Sequence, residues 1–176
     1  RPDGLTLLLA ASHHTLLPAV HGPRSGFDAL RDFTPVCTLA RSATVLVVGP
    51  SLPARSLADF IARVRALDGR ASYATPGVGS TPHLAAEQLR QRTGLSMVQV
   101  PYQGAAPLVT ALIGGQVDLA LPPVAAVLPH LQAGRLNALA VAAQQRLDEL
   151  PALPTFAQTG LPGFESHTWW GLLAPA

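Results

Sequence analysis

The sequence predicts an α/β fold with a largely parallel sheet. From Thr44 to Ala142, short apolar runs alternate with segments of helical periodicity in the order β-α-β-α-β-α-β-α-β. Parallel strands need crossovers of that kind. The strand-like runs, Leu46-Val-Val among them, are apolar at successive positions, as expected of strands covered on both faces. The chain has 176 residues, 48% of them hydrophobic and 12% charged, enough apolar material for one packed core or two small lobes.

Taken in order, Leu5 to Ala10 follows the turn residues Pro2-Asp3-Gly4 and reads as a buried strand. His13 to Ser25 contains Pro18, Gly22 and Pro23 and reads as irregular with one helical turn. Phe27 to Arg31 reads as a further helical turn. Phe33–Ala40 and Thr44–Val48 are extended and nearly continuous. Ser56 caps a helix whose Leu57, Phe60, Ile61, Val64 and Leu67 form an apolar stripe. Strands are expected over Ala71–Ala74, Ser96–Val100, Val117–Leu121 and Leu136–Ala142. The helices between them start near Thr81, Ala105 and Val124, and Gly94, Gly114-Gly115 and Gly134 stop them. Small helical turns over Arg146–Leu150 and Thr155–Gln158 precede a closing strand, Phe164–Leu173.

Charge and composition exclude several functions. The net charge is +2, all twelve basic residues are Arg, and they are scattered. With 5% aromatic content there is no basic, aromatic-interleaved surface for nucleic acid. Cys37 stands alone, which removes a disulfide framework and a cysteine zinc site. No apolar run reaches the roughly 18 residues of a membrane span. The chain opens without Met and both ends are strand-like, so a fragment or processed chain is expected.

The most informative stretch runs from Ala71 to Leu84. Pro76, Gly77 and Gly79 break the strand, Thr81 is placed to cap the next helix, and Pro82 suits its first position. Backbone N–H groups, the positive helix end and the Ser80 and Thr81 hydroxyls then face one spot suited to an anion. The dinucleotide fingerprint fails, since its third glycine is Pro82 and no acidic residue ends the following strand. The phosphate loop fails in a chain without Lys. His83, in the first turn, is expected to be neutral and to tie the turn or donate a hydrogen bond. His13, His14 and His21 have only Asp3 nearby, a poor metal set, and no cofactor or metal is expected. Asp118 and Glu165 form no evident catalytic pair.

In order and spacing, a longer series of segments resembles the periplasmic receptors of tripartite tricarboxylate transporters, the Bug or TctC-like proteins. These are Asp32-Phe-Thr-Pro-Val, Tyr73-Ala-Thr-Pro-Gly-Val-Gly-Ser-Thr-Pro-His, Val100-Pro-Tyr-Gln-Gly-Ala-Ala-Pro, Gly114-Gly-Gln-Val-Asp, Pro129-His-Leu-Gln-Ala-Gly-Arg-Leu and Trp170-Gly-Leu-Leu-Ala-Pro. The resemblance covers the whole chain. It implies a type II periplasmic-binding fold, with 44–142 as a complete second lobe and 1–43 and 143–176 as a partial first lobe. Crossings are then expected near Leu39–Val45 and Ala138–Ala143. It further implies a non-enzymatic solute receptor that takes a small carboxylate and hands it to membrane transporter subunits in the periplasm. On this reading Gly77, Gly79, Ser80 and Thr81 hold one carboxylate and His83 supports them. Ser12 opposes them from the first lobe, Tyr102, Gln103 and Pro122 form the wall, and Thr75 and Val78 complete the set. Pro122 stands where relatives usually carry a polar residue, which counts against an amino-acid ligand. A partial first lobe is also expected to cover its open core by dimerising or exchanging strands. Two alternatives stand beside this: a small hydrolase-like α/β enzyme using Ser80 and His83, and a receptor remnant that interacts without binding a solute.

Overall fold

The computed structural model describes residues 3–176. The Arg1 and Pro2 part of the opening turn lies outside the described residues. Among those described, eight strands form two sheets, accompanied by five α-helices.

The chain begins with β1 (Leu8–Ala11), α1 (His13–His21), a 3-10 turn at Gly22–Ser25, and the long β2 (Phe33–Ala43). Thr44 alone separates β2 from β3 (Val45–Val48). There follow α2 (Leu57–Ala66), β4 (Ser72–Thr75), α3 (Thr81–Thr93), β5 (Val98–Pro101), α4 (Ala105–Ile113), β6 (Leu119–Ala120), α5 (Val124–Gln132) and β7 (Asn137–Val141). A 3-10 turn at Ala157–Thr159 and β8 (His167–Pro175) close the chain.

The five-stranded sheet has the order β5-β4-β6-β3-β7. β4 runs parallel to β5 and β6, while β3 runs antiparallel to both β6 and β7. β3 is therefore the one strand against the common direction, because it enters from the other sheet instead of through a helical crossover. Successive residues of β3 serve opposite faces. Leu46 and Val48 join α2 and α3 through Leu57, Phe60, Ala86 and Leu89. Val45 and Val47 join α4 and α5 through Leu108, Leu112, Val124 and Val127. Both faces are sealed, which is why the strand reads as an unbroken apolar run.

The second sheet is antiparallel, in the order β1-β8-β2. It is open on much of its surface, and the expected buried strand at Leu5–Ala10 is corrected here: Leu5, Leu7 and Leu9 are exposed. No helical layer lies over this part of the sheet among the described residues. The stretch from His13, expected to be irregular, forms nine residues of α-helix in spite of Pro18. Only one N–H is lost there, the one that would have faced the carbonyl four residues back. Phe27–Arg31 is a turn in which the Asp28 carboxylate accepts from the Leu30 and Arg31 N–H groups, and Arg146–Leu150 is likewise non-helical.

Two segments join the sheets. At the junction Thr44 N–H donates to Ser166, Ser166 N–H to Ala142, and Ala142 N–H to Thr44, at 2.9, 3.0 and 2.9 Å. Residues 153–164 pack on the five-stranded sheet: Phe156 and Phe164 stack at 4.1 Å within its core, and Phe156 N–H donates to Val141.

Candidate functional site

The turns after β4, β5 and β6 lie at one end of the five-stranded sheet, where an open sheet of this type takes its ligand. Tyr102 N–H donates to the Thr75 carbonyl at 2.8 Å, tying the β5 turn to the end of β4. Thr75 is fully buried, and its hydroxyl accepts from Gln99 Nε2 at 2.9 Å, so it braces the turn from behind. Pro122 is buried with its carbonyl accepting from Val45, while Gln103 and Val78 are exposed.

The glycine turn organises itself through its own side chains. Ser80 is the N-cap of α3, with extended backbone and a hydroxyl that accepts from His83 N–H at 3.3 Å. That corrects the expectation that Thr81 caps the helix, since Thr81 is already its first residue. The Ser80 hydroxyl also donates to the Gly77 carbonyl at 2.7 Å. A hydroxyl has one proton, so in this arrangement Ser80 has no donor left for a carboxylate. His83 Nδ1 accepts from Gly79 N–H at 3.3 Å, which puts the neutral ring's proton on Nε2. The imidazole thus ties the turn and keeps one outward donor. Gly77 and Gly79 have φ of +135° and +79°, backbone that disfavours any side chain.

Across from this turn stands the first residue before α1. Ser12 is buried, its N–H donating to the Trp169 carbonyl at 3.0 Å, and its Oγ lies 2.5 Å from Thr81 Oγ1. Ser12 and Thr81 are 69 residues apart and stand on different sheets' connections. Their two hydroxyls hold two protons, and the mutual bond uses one. The other is available to an acceptor such as a carboxylate oxygen.

Two further residues shape the place without any motif to mark them. Val20 packs over Gly79, and Ser42 Oγ accepts from Ala125 N–H at 3.3 Å, capping α5 from the crossing strand. Val20 fell in a segment that reads as irregular, and Ser42 in a break between strands. Neither position is distinctive without the fold.

A Ser80–His83 nucleophile–base pair is not formed, because the serine proton goes to Gly77 and His83 Nδ1 is occupied by Gly79. Asp118 sits at the opposite end of β6, its carboxylate accepting from Ser72 N–H at 2.8 Å and from the Ser72 hydroxyl at 2.9 Å. Among the described residues no three His, Cys, Asp or Glu side chains group as a metal site. His14 stacks on Phe27 at 4.8 Å and meets Phe33 edge-on at 4.7 Å.

The family model described as "Tripartite tricarboxylate transporter family receptor" matches residues 1–176. Protein BugT of Bordetella pertussis is 36% identical over 174 residues, covering 98% of this chain and 53% of that protein. The structure titled "R. palustris Rpa4515 with adipate" superposes with a TM-score of 0.91 at 35% identity, over 99% of this chain and 58% of the other. MatC from Rhodopseudomonas palustris, with bound malate, gives a TM-score of 0.91 at 31% identity, over 99% and 60%. The chain thus spans about half the length of the curated relatives it matches.

Proposed function

Since this chain belongs to the tripartite tricarboxylate transporter receptor family, we propose that it supplies the ligand-gripping part of a periplasmic receptor for a small organic carboxylate. Members of the family are periplasmic binding proteins. The bound solute would pass to the membrane subunits of the tripartite system.

One observation carries the proposal: Ser12 and Thr81 meet across the two sheets beside a glycine turn at a helix N-terminus. The donors that remain there are neutral, namely one Ser12 or Thr81 hydroxyl proton, His83 Nε2–H and the N–H of Thr81, which has no partner within its own helix. Neutral donors of this kind suit a carboxylate that keeps its charge. Gly77, Gly79, Ser80 and Thr75 build the turn, while Val78, Tyr102, Gln103 and Pro122 form its surroundings.

In the same reading residues 1–43 and 143–176 are the partial first lobe and 44–142 the second. The packing of residues 153–164 on the five-stranded core favours moving the return crossing to Ser166–His167. The open apolar face of the three-stranded sheet is covered by self-association, through dimerisation or strand exchange. A clean monomer in size-exclusion chromatography at micromolar concentration would count against that.

The deciding experiment is a calorimetric titration of di- and tricarboxylates against the full-length protein and its Ser12→Ala/Thr81→Val double variant, which removes the pair's free proton. One lost hydrogen bond to a charged group costs about 1.5–3 kcal/mol, so binding should weaken by roughly tenfold or more. A protein that binds none of these acids overturns the proposal.

A further inference from the structure

We propose that Val20 is the steric stop that sets how far the two halves of the site close, and so how long a carboxylate the site accepts; the second half rests on the receptor reading above. A Cβ built on Gly79 would lie 3.2 Å from Val20 Cγ2 and 3.4 Å from Cγ1. Val20 therefore fills the volume that any other residue at position 79 would occupy. Its side chain covers the face of Gly79 from which a Cβ would project, and Gly79 is buried beneath it.

The same helix touches the turn near both ends. Ser12 immediately precedes α1 and bonds to Thr81, while Val20 is in its last turn. Eight residues of helix separate the two contacts by about 12 Å. They differ in kind. A hydroxyl pair exchanges readily with water or a ligand oxygen, so it acts as a latch. A branched carbon side chain lying over the bare face of Gly79 is driven into that backbone on closer approach, so it acts as a limit.

Val20 suits a limit better than a longer side chain does. It is 40% exposed, so burial in a core does not explain its contact. Branching at Cβ leaves it one strongly preferred χ1 rotamer in a helix, so it does not swing aside as Leu or Met would. Gly79 opposite has no side chain to yield and a φ of +79° that holds it to glycine.

The test uses the full-length protein with Val20→Ala and Val20→Phe. Spin labels at Leu30→Cys and Gln91→Cys, on a Cys37→Ser background, report the distance between the two halves. Malonate, succinate, adipate and pimelate are titrated in parallel. Val20→Ala should shorten the label distance and shift preference toward shorter acids, whereas Val20→Phe should lengthen it and weaken the shortest acid that binds by about tenfold. If the acids bind the unsubstituted protein and both variants keep its distance and its length preference, the inference is wrong. If no acid binds the unsubstituted protein, the receptor reading falls and takes the length half with it. The label distances then still decide whether Val20 is the stop.

Discussion

Strands β2 and β3 are consecutive in the chain, separated by one residue, and meet opposite fates. Val45 to Val48 are sealed between two helical layers, with no side chain more than 1% exposed. In β2, Val36 and Leu39 are more than half exposed, and Cys37 is exposed with them. Beside it, His14, Phe33, Trp169 and Leu173 line an apolar hollow of about 520 Å³. The difference lies in what covers each sheet. Every strand of the five-stranded sheet except β3 arrives through a helix that folds back over it, so the chain supplies its own lid. Among the described residues the three-stranded sheet has α1 alone from its own connections.

That contrast is broken first by core truncation. Phe156→Ala removes a fully buried ring from the five-stranded unit and should cost about 3–5 kcal/mol. Leu39→Ala, at 56% exposure, should change stability by no more than about 0.5 kcal/mol. Equal losses in urea unfolding would show that both sheets are equally dependent on packing.

A pair of glycines sharpens it. A Cβ on Gly49 would clash with the Leu112 carbonyl oxygen, and one on Gly171 would meet the Cys37 carbonyl oxygen at 2.8 Å. Both are backbone atoms. Gly49→Ala should cost about 2–3 kcal/mol, because the oxygen belongs to a helix held in a sealed core. Gly171→Ala should cost nearer 1 kcal/mol, because β2 is open on its outer side and can shift. Thermal unfolding of the two variants measures the ratio.

A smaller effect separates framework from grip within the site. Ser80→Ala removes the α3 cap and should cost about 1 kcal/mol of stability. Its effect on carboxylate affinity should be less than that of the Ser12→Ala/Thr81→Val double variant. A larger affinity loss for Ser80→Ala would return that hydroxyl to the ligand.

The smallest effect is a difference in acid response. Burial, with the charge of His13 adding to it, holds the His14 pKa below its ordinary 6.5. A histidine lowered in this way binds its proton more readily when unfolded. Its contribution is complete above the unfolded value and is lost as pH falls below 6.5. For Glu87 burial acts to raise the pKa, but hydrogen bonds from Tyr73 and Arg90 outweigh it and the net value lies below the ordinary 4.5. Its contribution is present above 4.5 and is lost only as pH falls further. Amide protection, relative to intrinsic exchange at each pH, should therefore fall in β1 and β8 as pH drops below 6.5, while β4 and α3 hold until pH is below 4.5. His14→Phe should abolish the first change.

Much of the five-stranded unit was legible because its signals are local. Apolar runs fixed its strands, the stripe from Leu57 to Val64 its second helix, and glycines and Ser56 several of its boundaries. The helix from His13 was not legible, because Pro18 and the flanking Gly22 argue locally against it while contacts from distant residues, Trp169 and Phe33 among them, favour it. In the site, the turn's location and the turn-tying role of His83 followed from residue types and spacing. The assignment of the hydroxyls did not. Whether Ser80 or Thr81 faces a ligand depends on which proton is already spent, and that is set by hydrogen bonds.

The sequence by itself determined the α/β class, the family and the position of the glycine turn, since periodicity, turn chemistry and motif order are written in neighbouring residues. Only the tertiary structure decided that Ser12 meets Thr81, that Val20 rests on Gly79, and that one sheet is sealed while the other lies open. Those facts join residues tens of positions apart, and their energies exist only once the chain has brought the atoms together.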